Sequence, residues 1–363
     1  MDLRQIAQGV IMATAPSIIS LKDTSSESAA AQARKVLRDG GIVAFPTETV
    51  YGLAIRGDSS EARESLFQLK NRDPNQQLAR YVAHANQISA SGITVNVRAS
   101  KLMKAFWPGP LTVVIQSITG ETHGFRSSSH PVAAMIGSDD ALPILGTSAN
   151  FSGSPPIADA ATIIDTFGER IALTIDQGHP LAGLASSVVL LPFTGGFQML
   201  REGDVAKSII QSELEIKICL VCTGNTCRSP MAEVFLRDLL DSRDLGSAEK
   251  IKYTIKSAGT SAGSGMPAST HSQAVAKERG LDLSSHQSRA ISARDLEDCD
   301  IILTMTRRHR DMLVDVLPEC ENRVRPLAGE DHDIVDPFGG DLQTYQDCAD
   351  DIERRLKTLL EQL

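Results

Sequence analysis

Among 363 residues no apolar run approaches the roughly 20 residues needed to span a bilayer, so nothing in the sequence calls for a membrane. The apolar patch from Val10 to Ala13 follows an acidic Asp2 and is short for a signal-peptide core, so it reads as an ordered or frayed leader. Cysteine is missing from the first 218 residues; Cys219, Cys222, Cys227, Cys299, Cys320 and Cys348 follow, unevenly spaced and too sparse for a secreted disulfide scaffold. A reducing cytoplasm is the expected setting. A basic excess is missing as well. Net charge is −9, with 16 basic and 18 acidic residues in 1–205 and 20 and 27 in 206–363. Neither half carries the cationic surplus that holds nucleic acid, and strong direct binding to it is not expected. There is no internal repeat, no low-complexity tract and no Gly/Ser- or Pro-rich linker.

A chain of this length exceeds what one hydrophobic core usually serves, so two domains are expected, with a junction near residues 205–215. In the first half, Asp23-Thr-Ser-Ser-Glu27 offers N-cap chemistry to an Ala-rich helix that Gly40-Gly41 stops. Strand-like runs at Ile42 to Phe45, Leu111 to Ile115 and Ser187 to Leu191 mix with helix-like runs at Ser60 to Lys70 and Ala158 to Phe167. The second half alternates more regularly. Strands at 216–221, 251–257 and 300–305 are interleaved with helices at 230–241, 270–279 and 307–316, and a terminal helix runs from Leu342 to Leu360. That rhythm predicts an α/β, doubly wound parallel sheet whose ligands sit at the carboxyl ends of the strands.

Val221-Cys-Thr-Gly-Asn-Thr-Cys-Arg-Ser-Pro230 joins such a strand to such a helix. A strand, a loop and a helix N-terminus make an anion site, because unpaired N–H groups and the helix dipole converge there. Arg228 offers a planar fork for a phosphoryl group, and a thiolate facing a bound phosphate is a nucleophile. The other cysteines are scattered without Cys-His clusters, so no metal site is expected. Cys227 either pairs with Cys222 on oxidation or is a buried thiol. A leaving group needs a proton, and Asp333-Ile-Val-Asp-Pro-Phe-Gly-Gly-Asp341 offers Asp336, held extended by Pro337, as the acid.

Together with Ser257-Ala-Gly259, these segments resemble the low-molecular-weight protein tyrosine phosphatase family across residues 216–363. The resemblance implies a Rossmann-like domain in which Cys222 is the nucleophile, Arg228 binds phosphoryl oxygens, and Asp336 is general acid and then base. Asn225 and Ser229 would order the phosphate-binding loop and favour the thiolate, with Thr223, Gly224, Thr226 and Cys227 completing that loop. Thr226, Met231-Ala-Glu233 and Asp-Pro-Phe-Gly-Gly look like the protein-arginine phosphatase branch, where Thr gives a narrower, polar wall to a guanidinium. The phosphorylated protein substrate is thus phosphoarginine or phosphotyrosine. Thiol-based arsenate reduction uses a similar cradle, but no close partner follows Cys299 to relay a disulfide.

In the first half, Gly41-Ile-Val-Ala-Phe-Pro-Thr-Glu-Thr-Val-Tyr-Gly-Leu53 is followed by Lys70-Asn-Arg72, Phe106-Trp-Pro-Gly-Pro-Leu-Thr112, Thr122-His-Gly-Phe-Arg126, Gly146-Thr-Ser-Ala-Asn150, Ser186-Ser187 and Leu200-Arg-Glu-Gly203. As an ordered set they resemble the YrdC-like threonylcarbamoyl-AMP synthase family across residues 15–205. That family condenses threonine, bicarbonate and ATP into threonylcarbamoyl-adenylate on a twisted sheet domain, the first step of a tRNA adenosine modification. The resemblance implies ATP with Mg²⁺ as substrate, an indirect link to tRNA-modification proteins, and a bifunctional enzyme. Lys70, Arg72, Thr122, Ser148, Asn150 and Arg201 would face ATP; Thr47, Arg126 and Ser186 would hold threonine. Where the family carries Pro, then Pro-Leu, then a pocket His, this chain has Asp73, Gln77-Leu78 and Tyr81. An acid beside phosphate-binding cations opposes ATP unless it turns outward. The alternative is a first domain that only senses a nucleotide or RNA and gates the phosphatase.

Overall fold

The computed structural model describes residues 17–181 and 183–360; the patch at Val10 to Ala13 lies outside them. The chain divides into two compact units. One comprises the residues up to 213 except the segments 96–98 and 194–196, which group with the other unit, built from 214 onward.

The first unit holds a mixed sheet of ten strands: β1 (Ser17–Ser20), β2 (Val43–Phe45), β3 (Gly52–Arg56), β4 (Ala79–Tyr81), β5 (Leu111–Gln116), β6 (Thr122–Arg126), β7 (Ile144–Ser148), β8 (Leu173–Asp176), β9 (Ser187–Leu191) and β10 (Gln198–Arg201). Their order across the sheet is β1-β8-β2-β3-β7-β4-β6-β5-β9-β10. The helices are α1 (Ser26–Arg38), α2 (Ser60–Lys70), α3 (Asn86–Ala90), α4 (Val97–Phe106), α5 (Pro131–Ile136), α6 (Ala160–Phe167) and α7 (Lys207–Glu213).

Helix α1 begins where the Ser25 hydroxyl accepts from Ser28 N, so the expected cap chemistry falls on that serine. It buries Ala29, Ala30, Ala33 and Leu37, one stripe at helical spacing. Period-two alternation then divides the strands between two cores. Val43, Phe45, Ala54 and Ile144 join α1 and α5 on one face, while Ala44, Leu53 and Ile55 join α2 and α6 on the other. Beyond the helices, the first of these faces continues over β7, β4, β6, β5 and β9, where polar side chains replace apolar ones.

The second unit is a four-stranded, all-parallel sheet of β11 (Ile216–Cys222), β12 (Tyr253–Gly259), β13 (Ile301–Thr304) and β14 (Val324–Pro326), in the order β12-β11-β13-β14. Its helices are α8 (Arg228–Asp241), α9 (Thr270–Glu278), α10 (Ala293–Asp298), α11 (Arg307–Val316) and α12 (Leu342–Leu360). Cys219 and Val221 of β11 pack with Leu296 and Leu313 on one face. Helix α8 lies on β11 and β12 and meets α9 and α12. The unit is therefore doubly wound, and β11 is buried along nearly its whole length because helices cover both faces.

In the second unit the sequence rhythm anticipates the helices and strands except α10 and β14. Strand β14 is a three-residue edge strand ending in proline, too short to show a period. Helix α8 starts two residues before the expected 230, at Arg228, and its first turn tolerates Pro230 because the missing N–H has no intrahelical partner there. Among the described residues no helix is long and apolar enough to cross a membrane.

Candidate active sites

In the second unit, β11 ends at Cys222 and α8 begins at Arg228, so the loop between them is closed over the helix N-terminus. Cys222 is 2% exposed. Its Sγ lies 3.0 Å from Ser229 Oγ and accepts from Asn225 N at 3.3 Å. Asn225 sits in the left-handed region at φ 52°, which Asn tolerates better than most residues. Its Nδ2 donates to Ser229 Oγ and Ser257 Oγ, each at 2.9 Å, and its Oδ1 accepts from Arg289 N at 3.0 Å. One fully buried side chain thus ties the loop to α8, to β12 and to the segment before α10. Backbone bonds from Thr260, Ser261 and Ser269 to the carbonyls of Cys222, Thr223 and Thr226 pin the loop from outside. Gly259 permits this approach, because a Cβ there would stand 2.3 Å from Thr223 O.

Arg228 is buried; its Nη1 donates to Ile334 O at 3.1 Å and its Nη2 to Asp336 Oδ2 at 2.6 Å. The Asp336 carboxylate is half-exposed and also accepts from Phe338 N. His309 Nε2 lies 2.9 Å from Thr223 Oγ1, and its Nδ1 lies 2.7 Å from Thr306 Oγ1, which caps α11. Burial, and then the Arg228 charge, push the His309 imidazole down to about 4, so it is neutral near pH 7. All six cysteines are free and buried. Cys227 Sγ lies 3.3 Å from Tyr345 Oη, and Thr226 is half-buried beside it. The structure brings Cys222, Thr223, Asn225, Ser229, Arg228 and Asp336 into one site at the carboxyl ends of the strands.

In the first unit, a cavity of about 440 Å³ opens over β3, β7, β4, β6, β5 and β9. Thr47, Arg72, Thr122, Arg126, Ser148, Ser186 and Arg201 line it, and no Asp or Glu does among the described residues. Arg126 donates to Glu48 Oε1 at 2.7 Å and Thr49 Oγ1 at 2.8 Å. Burial raises the Glu48 carboxyl, but Arg126 and Ser128 more than offset this and hold it below its usual value. Arg201 grips Ser186 through its carbonyl at 3.0 Å and its hydroxyl at 3.1 Å. Arg72 donates to Thr147 Oγ1 and Gln77 O. Burial, joined by the neighbouring Arg126 and Arg72 charges, lowers the Arg201 pKa. Nε of Arg72 and of Arg126 is buried without a partner. Arg72 and Arg201 have no acidic partner among the described residues, and positive charge of this kind suits an anion.

Lys70 and Asn150 are not among the residues that line the cavity, but both bond to residues that do, Thr147 and Ser148. Lys70 is 1% exposed, with Nζ bonded to Ser148 O and Thr147 Oγ1. Burial, and then Arg72 and Arg201, bring its ammonium down to about 7. Asn150 accepts from Ser148 Oγ and donates to Phe151 O and Ser154 O, so both residues order this part of the wall. The Thr47 hydroxyl is engaged by Thr49, by the Val50 carbonyl and by both their N–H groups. Asp73 is exposed, with its carboxylate on Asn75, so it does not oppose an anion in the cavity. Glu48 and His309 were not anticipated, although Glu48 lies in the Pro-Thr-Glu-Thr turn and His309 follows a Thr at the N-cap spacing.

A thiol at the foot of a phosphate-sized loop, and apart from it a cationic cavity on a mixed sheet, describe two sites of different chemistry on one chain. Comparison with known proteins agrees. The low molecular weight phosphotyrosine protein phosphatase family model matches residues 217–363, and the Sua5/YciO/YrdC family model, described as telomere recombination, matches residues 35–203. A protein-arginine-phosphatase of Geobacillus stearothermophilus is 38% identical over 40% of this chain and 95% of its own length. A threonylcarbamoyl-AMP synthase of Coxiella burnetii is 31% identical over 39% of this chain and 81% of its own. That of Bacillus subtilis is 32% identical over 50% of this chain and 55% of its own, so this chain spans about half that relative's length. The chain belongs to both families, joining a Sua5-type domain to a low-molecular-weight phosphatase domain.

Proposed function

We propose that the chain is a bifunctional enzyme, with residues 15–205 forming L-threonylcarbamoyladenylate from threonine, bicarbonate and ATP and residues 216–363 hydrolysing phosphorylated proteins. The first reading rests on the cavity's charge: Arg72, Arg126 and Arg201 line it, and among the described residues only Arg126 of these three is ion-paired, with Glu48. Arg72, Arg201, Thr122 and Ser148 would face the nucleotide, while Thr47, Arg126 and Ser186 would hold threonine. Lys70 and Asn150, bonded to Thr147 and Ser148 of the cavity wall, would act on the nucleotide with them. Mg²⁺ would arrive with the nucleotide, since the Glu48 carboxylate is committed to Arg126, Ser128 and Ser129 and no Asp or Glu among the described residues lines the cavity. The threonine amine and bicarbonate would join as a carbamate with loss of water; the arginine forks would neutralise the polyphosphate, and pyrophosphate would leave as a carbamate oxygen attacks the α-phosphorus.

In the second domain Cys222 Sγ attacks phosphorus, the bond to the leaving nitrogen or oxygen breaks, and the Asp336 carboxyl protonates that atom. Arg228 would exchange its bond to Asp336 for the phosphoryl oxygens, which frees the acid as substrate binds. Water then attacks the phosphocysteine, Asp336 takes its proton, and inorganic phosphate departs. The half-buried Thr226 and the arginine-phosphatase relative favour phosphoarginine over phosphotyrosine.

Two assays test these readings. Pyrophosphate release from ATP, Mg²⁺ and bicarbonate is expected to require threonine; binding of ATP without release would make the first domain a sensor. Phosphate release from phosphoarginine peptides is expected to exceed that from phosphotyrosine peptides and to vanish in Cys222→Ser; equal rates would remove the arginine preference.

A further inference from the structure

Cys219 of β11 and Cys299 at the end of α10 are buried in one core with Leu296 and Ile302, and their thiols hydrogen-bond to each other. Neither belongs to the phosphate loop. The remaining two cysteines outside that loop are placed differently: Cys320 Sγ donates to Leu313 O and Cys348 Sγ to Val335 O, and burial raises both thiols, Cys348 to about 12. Cys219 and Cys299 instead have a cation beside them. In the β11–β12 register Cys219 stands opposite Lys256, whose ammonium hydrogen-bonds to Cys299 and pairs with Asp295 at 2.5 Å. Arg289 binds the same carboxylate at 2.7 Å, so one acid faces two cations and net positive charge remains near the thiols. The bond from Cys219, aided by the Lys256 charge, outweighs burial and holds the Cys299 thiol below its usual value, while that bond and burial raise Cys219. One sulfur is thus drawn toward the thiolate and the other keeps its proton. The Lys256 side chain is 31% exposed, so the pair lies one side chain below solvent.

We propose that Cys219 and Cys299 are an oxidation site, separate from the catalytic loop, at which a peroxide converts the two thiols into a disulfide joining β11 to the end of α10. The Cys299 thiolate attacks a peroxide oxygen, the S–O bond forms as the O–O bond breaks, and the departing hydroxide takes up a proton as water. The Cys219 sulfur then attacks the sulfenic sulfur; the S–S bond forms, the S–O bond breaks, and the Cys219 proton leaves with the hydroxide as a second water. Two electrons pass from the sulfurs to the peroxide. The disulfide closes β12, α9 and α10 into one covalent loop with β11. In a reducing compartment such a bond is transient, and the pair acts as a sensor of oxidant rather than as a permanent staple.

The test uses the full chain with Cys222→Ser and Cys227→Ser, so that Cys219 is the only cysteine in its tryptic peptide. After exposure to hydrogen peroxide the protein is denatured, alkylated and digested. The peptide carrying Cys219 is expected to be joined to the one carrying Cys299, with the bond released by dithiothreitol and with Cys320 and Cys348 alkylated. Adding Lys256→Met is expected to slow formation of this bond about tenfold, the scale of a hydrogen bond to a charged group; an equal rate would overturn the part given to Lys256. Should the double serine variant not fold, the same crosslink is located by peptide fragmentation in the peroxide-treated wild-type chain. Recovery of both Cys219 and Cys299 as alkylated thiols would overturn the proposal, as would Cys299 recovered as a sulfinic acid or bonded to any other cysteine.

Discussion

Arg228 Nη2 lies 2.6 Å from Asp336 Oδ2, joining the first residue of α8 to a carboxylate more than a hundred residues later in the chain. The arginine side chain is 5% exposed and the carboxylate 49%, so the arginine is enclosed while the carboxylate faces solvent, where a substrate would arrive. Asp336→Asn keeps the size of the side chain but removes the transferable proton, and kcat is expected to fall by about 10²–10⁴-fold. Steady-state assays with good and poor leaving groups check this, since the loss should be smallest where the leaving group departs without protonation. A uniform small loss would mean that Asp336 only steadies Arg228.

Asn225 carries the loop's strain and its bonds together. Asn225→Ala leaves Ser257, Ser229 and the Arg289 N–H without their partner and places alanine at φ 52°. A destabilisation of about 2–4 kcal/mol is expected, with lower kcat. Chemical denaturation of the phosphatase domain measures it.

His309 makes the second unit sensitive to acid. Its folded pKa of about 4 lies below the unfolded value, so the unfolded chain binds the extra proton between those two values. Its contribution is fully present above the unfolded value and is lost as pH falls toward the folded one. Melting temperatures across this range should drop less steeply in His309→Gln, which keeps a hydrogen-bonding amide near Thr223 Oγ1 but does not titrate. Parallel curves would place the acid sensitivity elsewhere.

Lys70 offers a proton-linked signature of anion binding. Its pKa of about 7 is set by burial and by Arg72 and Arg201, and a polyphosphate near those arginines would raise it. The complex then holds more protons than the free protein from about pH 7 upward, so ATP affinity should decline as pH rises. Calorimetric titration in buffers of different ionisation enthalpy should detect proton uptake, and Lys70→Met should lose it.

The sequence itself determined what depends on neighbours along the chain. Cys222, Asn225, Arg228 and Ser229 lie within one strand-to-helix loop, and their spacing together with the helix start is enough to define an anion cradle. The α/β rhythm of the second half was readable for the same reason, because period and caps are local. Tertiary structure alone decided the rest. It set Tyr81 opposite Arg126 through β4–β6 pairing, bonded Lys70 and Asn150 to Thr147 and Ser148 of the cavity wall, and joined His309 to Thr223. These outcomes depend on strand order, and a chain that places β7 between β3 and β4 carries no local mark of that arrangement. Burial followed from the same packing, and with it the shifts at Lys70 and His309, since desolvation depends on what the fold puts around a group and not on its neighbours in sequence.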